Sequence, residues 1–241
     1  MSEGETISVN FGKPMPLFPL AQVTLLPHQV LAVHIFEPRY RTMARDVLEG
    51  SRQIALSVYA GDEWREHDEP GSSHPPPVRP AVCVGQIVQE HRLDDGRFNL
   101  LLQGVCRAQI VREVSPREHG KPYRVAFLRP VGVDTEEDVM ASERSRLTAL
   151  FAGTSLRDLR EAKVIVNHLA DEDVPTSAIL EWVTASVLPD PELRYRLLAE
   201  GNALRRSAII RTQLDAIRDL LDRAAPQRAV IAGLPKGVYN N

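Results

Sequence analysis

Val84-Gly85-Gln86-Ile87-Val88, then Leu93-Asp94-Asp95-Gly96-Arg97, then Leu100-Leu101-Leu102-Gln103-Gly104-Val105-Cys106-Arg107: two apolar runs flank an Asp-Gly turn. Asp-Gly supplies the positive backbone φ of a tight hairpin, so the two runs are predicted to pair antiparallel. Alternation extends outward on both sides. Leu31, Val33 and Ile35 alternate with Ala32, His34 and Phe36, and Ile54, Leu56 and Val58 alternate with Ala55, Ser57 and Tyr59. Tyr123, Val125 and Phe127 form the last such set. Period two over short runs marks half-buried strands. One helix interrupts them. Tyr40, Met43, Ala44, Val47 and Leu48 form a single helical stripe, with Pro38 in its first turn and Gly50 where a left-handed cap would sit.

After Val133 the alternation stops and helical spacing takes over. Thr135 can cap a helix carrying Met140, Leu147 and Phe151, and Gly153 ends it. Ser155 with Asp158 reads as the start of a second helix, and Ile179, Leu180, Val183 and Val187 mark a third. Asp190-Pro191 caps a short fourth. Ser207, Ile210, Leu214, Ile217 and Leu221 give the last and longest a bundle-facing seam, which Pro226 is expected to stop. Strands segregated from helices mean an α+β fold. The expected divisions are a flexible 1–13, a β-rich 14–133, a helical bundle over 134–225 and a tail over 226–241.

Composition excludes several functions. The 241 residues carry a formal net charge of -3, without the basic excess that phosphate binding requires. The two cysteines, Cys83 and Cys106, lie in apolar runs and read as buried thiols, with a disulfide possible only if their strands are neighbours. Met1 to Asn10 has no basic and apolar leader, and no apolar run is long enough to span a bilayer, so a cytoplasmic location is expected. Gly12-Lys13 and Gly120-Lys121 are each followed by proline, which cannot supply the metal-binding hydroxyl of a phosphate loop. No glycine-flanked serine elbow is present, and the acidic clusters at Asp94-Asp95, Glu136-Glu137-Asp138 and Asp171-Glu172-Asp173 suit surface turns and helix starts. His67, just before the proline-rich 69–80 stretch, and His74, within it, lack ligand spacing, and His34 reads as a satisfied core or boundary histidine. No metal, cofactor or catalytic residue is assigned.

One set of motifs resembles a known family. Pro16-Leu17-Phe18-Pro19-Leu20, Leu25-Leu26-Pro27-His28 and His34-Ile35-Phe36-Glu37-Pro38-Arg39-Tyr40-Arg41-Thr42-Met43 look like the opening of the Lon protease N-terminal domain. The Val84–Arg107 hairpin and the Leu188–Leu198 run are similar to later parts of it. The resemblance covers roughly residues 14–222. It implies a PUA-like pseudo-barrel joined to a helical bundle. It also implies a substrate-recognition role toward unfolded or degron-bearing polypeptides, working with a separate protease or ATPase. The family's ATPase and Ser-Lys protease segments have no counterpart in the sequence, so a non-catalytic module standing alone is expected.

Within the motif, Arg39 is expected to hold a carboxylate or strand carbonyls beside Glu37 and Pro38, and Phe36 and Tyr40 to pack the strands against the helix. Phe36, Tyr40 and Trp64 are the candidate polypeptide contacts, through an apolar groove or a free strand edge. Two alternatives stay open: RNA binding on a PUA-like barrel, a fold-level analogy, and a hydrolase whose site assembles only in space.

Overall fold

The computed structural model describes residues 7–61, 76–132 and 137–232. In chain order the elements are β1 (Met15–Leu20), β2 (Val30–Ile35), α1 (Pro38–Leu48), β3 (Gln53–Val58), β4 (Ala81–Arg92), β5 (Phe98–Val114), α2 (Pro116–His119), β6 (Val125–Pro130), α3 (Glu137–Gly153), a 3-10 turn (Ser155–Asp158), α4 (Ala162–Ala170), α5 (Thr176–Val187), α6 (Pro191–Ala199) and α7 (Ala203–Ala232). They divide into two compact units, Met1–Val133 with Leu188–Asn202, and Asp134–Val187 with Ala203–Asn241.

The first unit is built on a six-stranded mixed sheet in the order β2-β5-β4-β3-β1-β6. The Asp-Gly hairpin forms as the sequence predicts. Gly96 takes φ +79, its N–H donates to Leu93 O at 2.9 Å, and β4 and β5 pair antiparallel. β1 and β3 run parallel, so the sheet is mixed.

β5 is shared. It gives one edge to β4 over its first twelve residues, Phe98 to Gln109. Its other edge carries β2 from Phe98 to Gln103 and then β6 from Ala108 to Val114. The pseudo-barrel expected over 14–133 is therefore corrected to this mixed sheet. Two strands divide one edge of β5 end to end, and β2, bonded to β5 alone among the described residues, stays outside any closed ring. One face buries Met15, Leu17, Ala55, Val82, Val84, Ala108, Ala126 and Leu128.

Gly104 shows why the chain turns where it does. A Cβ there would lie 2.0 Å from Leu26 O and 2.8 Å from Leu26 C. Only glycine lets the Leu25–Pro27 backbone cross the sheet this closely. The crossing is fixed by His28 N–H donating to Gly104 O and Gly104 N–H donating to Gln29 O, both at 2.8 Å.

α1 starts at Pro38, as the sequence reading has it, and buries Tyr40, Met43, Ala44 and Val47. Its exit differs from expectation. Gly50 is not left-handed; Arg52 is, with φ 58, and donates its N–H to Val47 O at 2.8 Å.

α6, expected in the bundle, belongs to the sheet unit. The Asp190 carboxylate caps it by accepting from Glu192 N–H at 3.0 Å. Ala81 N–H donates to the Tyr195 hydroxyl at 2.9 Å, and the Arg79 guanidinium stacks 3.4 Å from the Tyr195 ring centroid while donating to both Glu192 carboxylate oxygens.

The second unit is a helical bundle around Met140, Leu147, Phe151, Leu156, Ile165, Ile179, Val183, Ile210 and Leu214, all buried. Thr154, not Ser155, is the cap: its hydroxyl accepts from Leu156 N–H at 3.2 Å and opens the 3-10 turn before α4. Arg144 on α3 donates to Leu169 O at 2.8 Å and Asp171 O at 3.2 Å, satisfying carbonyls that the end of α4 leaves without helical partners. α7 runs on to Ala232 through Pro226 instead of stopping there. Proline removes one N–H but its fixed φ is itself helical. A buried polar seam crosses the bundle: Glu143 accepts from Ser207 Oγ at 2.6 Å and pairs with Arg211 at 3.1 Å, and Glu181 pairs with Arg206 at 3.2 Å.

Gly104→Ala is expected to destabilise the sheet unit by about 2–4 kcal/mol through steric displacement of backbone. Gly153→Ala, with nothing within 4 Å of its added Cβ, is expected to leave stability unchanged or slightly raised; urea unfolding of both variants checks the contrast. Burial raises the Glu143 carboxyl pKa, but the Ser207 hydrogen bond and the Arg211 and Arg146 charges outweigh it and hold it below the ordinary range. A depressed folded-state pKa stabilises above the unfolded value and loses that contribution as pH falls through the folded one. The stability gap between wild type and Glu143→Gln should therefore be full at neutral pH and shrink below about pH 4.3, the ordinary glutamate value, in thermal melts run down the pH scale.

Candidate polypeptide-binding surface

The motif Phe36-Glu37-Pro38-Arg39-Tyr40 joins the end of β2 to α1. Arg39 holds a carboxylate, as expected: Nε and Nη2 donate to Glu37 Oε2 at 3.0 and 2.8 Å. The same guanidinium lies 4.7 Å from the Tyr40 ring centroid. Tyr40 is 3% exposed and meets Phe18 edge to face, with centroids 4.9 Å apart, so it packs strand against helix. Phe36 does not. It is 59% exposed, because it continues the outward parity of Ala32 and His34, and it stacks on His34 with centroids 6.0 Å apart. The expectation that Phe36 packs the core is corrected accordingly.

Phe36 and Tyr40 nonetheless share a cavity of about 200 Å³, with Phe18, Leu20, Ile35 and Tyr59 among its walls. Phe36 forms the rim and Tyr40 the floor. Ala21 and Tyr59 continue into a second hollow of about 550 Å³ bounded by Gln22, Arg79 and Glu192. The hydrogen bond from Arg79 holds the Glu192 carboxyl below its ordinary range, and the pair is closed on itself. Trp64, the third predicted contact, lies outside the described residues, as do His67, His74 and the 69–75 part of the proline-rich stretch. Of its remainder, Pro76 O accepts from Arg124 at 2.6 Å and Pro77 O from Ala60 N–H at 2.8 Å.

His34 is an exposed histidine on an outer strand. Its Nδ1 lies 2.7 Å from Asn99 Oδ1 and its Nε2 lies 3.3 Å from an Arg97 nitrogen. With Ala32, Gln89, His91 and Leu101 it lines a shallow hollow of about 340 Å³ over β2, β5 and β4. The period-two alternation already turned His34 outward; its apolar neighbours suggested otherwise.

Among the described residues no group of three His, Cys, Asp or Glu is placed to hold a metal. Ser207 donates to the Glu143 carboxylate, whose charge is already paired with Arg211 and Arg146, and Ser186 donates to the Trp182 carbonyl. Cys83 and Cys106 form no disulfide with each other. β4 and β5 are neighbours, but Val84 stands opposite Cys106 and Cys83 opposite Arg107, so the two thiols face opposite sides of the sheet. The surface offers an apolar concavity beside the edge strand β2.

A family model for the ATP-dependent protease La (LON) substrate-binding domain matches residues 14–216. The chain belongs to this family. Among its relatives, the Lon protease of Desulfosudis oleivorans is 28% identical over 210 residues, 86% of this chain and 24% of that protein. The Lon protease of Trichlorobacter lovleyi is 26% identical over 161 residues, 65% of this chain and 19% of that protein. The chain thus spans about a quarter or less of these relatives' length. The N-terminal domain of Mycobacterium avium complex Lon protease superposes with a TM-score of 0.62 at 17% identity, covering 84% of this chain and 98% of that one. A Lon N-terminal domain protein from Xanthomonas campestris gives 0.53 at 19% identity, covering 80% and 94%. These likenesses establish the fold. The family makes this a substrate-binding module, and the matched region is the non-catalytic part of the Lon architecture. No helix of the described residues is long and apolar enough to cross a membrane.

Phe36→Ala should leave stability within about 0.5 kcal/mol of wild type, as exposed positions do. Tyr40→Ala should cost about 3–5 kcal/mol, as loss of a buried aromatic does. Urea unfolding of the two variants separates rim from floor.

Proposed function

We propose that this protein recognises unfolded or degron-bearing polypeptides and presents them to an ATP-dependent protease, acting as a recognition or adaptor module with no chemistry of its own, in the cytoplasm. The observation that carries the reading is the pairing of an apolar cavity, rimmed by exposed Phe36, with a neighbouring strand edge in a chain of the substrate-binding family. A single exposed aromatic is ordinary on a protein surface, but one that continues into a concave apolar surface makes a contiguous apolar patch of the kind that marks interaction sites. Neighbouring charges support a preference for apolar chain: Glu37–Arg39 and Arg79–Glu192 are closed pairs. The Phe36, Tyr40 and Trp64 set is kept as the proposed contact, with Phe36 at the surface and Tyr40 beneath it. In vivo the protease partner is a separate or covalently joined ATPase–peptidase.

A reduced, carboxymethylated protein that cannot fold should bind in fluorescence titrations, while the same protein in its native, disulfide-bonded state should not. Phe36→Ala should weaken that binding by about tenfold, the loss of one apolar anchor. Equal binding of the native and unfolded forms, or none of either, would contradict the proposal.

A further inference from the structure

We infer that β2 binds an extended segment of the substrate chain by strand addition, so that the segment becomes the next strand of the sheet. This rests on the polypeptide-binding reading above and specifies how and where the chain is held.

The register identifies the free groups. Gln29 and Gly104 face each other, with Gly104 N–H donating to Gln29 O at 2.8 Å. In an antiparallel ladder bonded and non-bonded pairs alternate. Leu31, Val33 and Ile35 therefore bond to β5, and the N–H and C=O groups of Val30, Ala32 and His34 point away from it. Among the described residues no strand pairs with that outer edge.

Exposed edges are normally blunted by lysine, proline, inward charge or a bulge. Val30–Ile35 contains no charge and no proline, and its register with β5 runs without a shift. Elsewhere the sheet does carry bulges, at Val88 on β4 and Val111 on β5, and both valines are exposed. The edge left smooth is the one beside the apolar cavity.

The size and charge of the edge select its occupant. A six-residue strand spans about 20 Å, so an edge-to-edge contact between two copies covers on the order of a few hundred Å². That is well short of the roughly 1,000 Å² a stable interface needs. A peptide strand has no such requirement, since main-chain hydrogen bonds hold it and pockets read alternate side chains. The cavity behind Phe36 begins where β2 ends and is of a size to take one apolar side chain of the segment. The charges at that end are already neutralised, Glu37 by Arg39 at 2.8 Å and Asp95 by Arg97 at 2.6 Å. The complementary occupant is an uncharged stretch of alternating apolar residues, of the kind a folded protein keeps inside.

The probe is a short fluorescent peptide alternating valine and threonine, titrated by anisotropy into the full chain. Two further versions carry N-methyl groups on one or the other set of alternate amides. Wild type should bind the parent peptide, and one of the two methylated versions should bind about tenfold or more weakly, because its side chains are unchanged but its bonding edge is gone. Ala32→Pro removes an outward N–H and no bond to β5, so it should keep the native circular dichroism and also lose about tenfold in affinity. If both methylated peptides bind like the parent, strand addition is wrong, whether or not the proline variant folds. Unchanged affinity in a natively folded Ala32→Pro points the same way. A wild type that binds the carboxymethylated protein while these controls show no edge dependence loses this inference alone; one that binds neither loses the proposed function as well. A dimer in sedimentation that Ala32→Pro dissolves would overturn the assignment by naming a second copy as the occupant.

Discussion

A β-strand has two hydrogen-bonding edges, and the sheet of this protein is organised by how β5 spends them. One edge goes to β4. The other is divided between β2 and β6, which meet it one after the other along its length. The division needs a gap where neither pairs, and the gap is where the chain before β2 crosses. His28 and Gln29 take the bonds of Gly104 there, and the missing side chain of Gly104 leaves room for the Leu26 backbone. A side chain at that position would push the crossing outward and shift β2 along β5. Because side chains alternate with period two, a one-residue slip would turn Ala32 and His34 inward and Ile35 out. The surface that carries Phe36 therefore depends on one close backbone contact.

The two units solve the burial of polar groups differently. In the sheet unit, α6 is tied down by the Tyr195 hydroxyl, which takes an N–H of β4, by Arg79, which lies flat on the same ring and pairs with Glu192 at the surface, and by buried Arg107, which donates to the Leu197 carbonyl rather than to a carboxylate. In the helical unit, charge itself is buried, with Glu143 and Glu181 each facing an arginine. Buried ion pairs add little net stability but make any other arrangement costly, since a shifted helix would strand a charge. Arg144 ties the end of α4 to the start of α5.

Much of this was legible from local pattern. The Asp-Gly turn, the helix start at Pro38, the Asp190 cap and the seam of α7 are each decided by a few neighbouring residues, and each forms. What escaped sequence reading is non-local. Nothing near Gly104 announces that Leu26 crosses it, and nothing near Tyr195 announces that its hydroxyl belongs to Ala81. The docking of α6 on the sheet joins residues more than a hundred positions apart, so a helix next to the bundle in sequence lies in the other unit. Bulges at Val88 and Val111 break an alternation that looks regular in the letters. Of the site, Tyr40 was legible as core because it lies on the α1 stripe. Phe36 was legible as exposed from its parity with His34, but its hydrophobicity argued the other way, and parity prevailed. The outer edge of β2, which no strand of the described residues pairs with, could not be read at all, because an edge is defined by what does not pair with it.

By strand addition an extended chain would lie along the outer edge of β2, beside the cavity rimmed by Phe36. Amide hydrogen exchange with and without a carboxymethylated, unfolded protein tests it most directly. The amides of Val30, Ala32 and His34 point outward and should exchange quickly in the free protein, then slow on addition of the unfolded chain, while those of Leu31, Val33 and Ile35 stay protected throughout. Binding that protects amides elsewhere and leaves those three exchanging at their free rate would contradict the account.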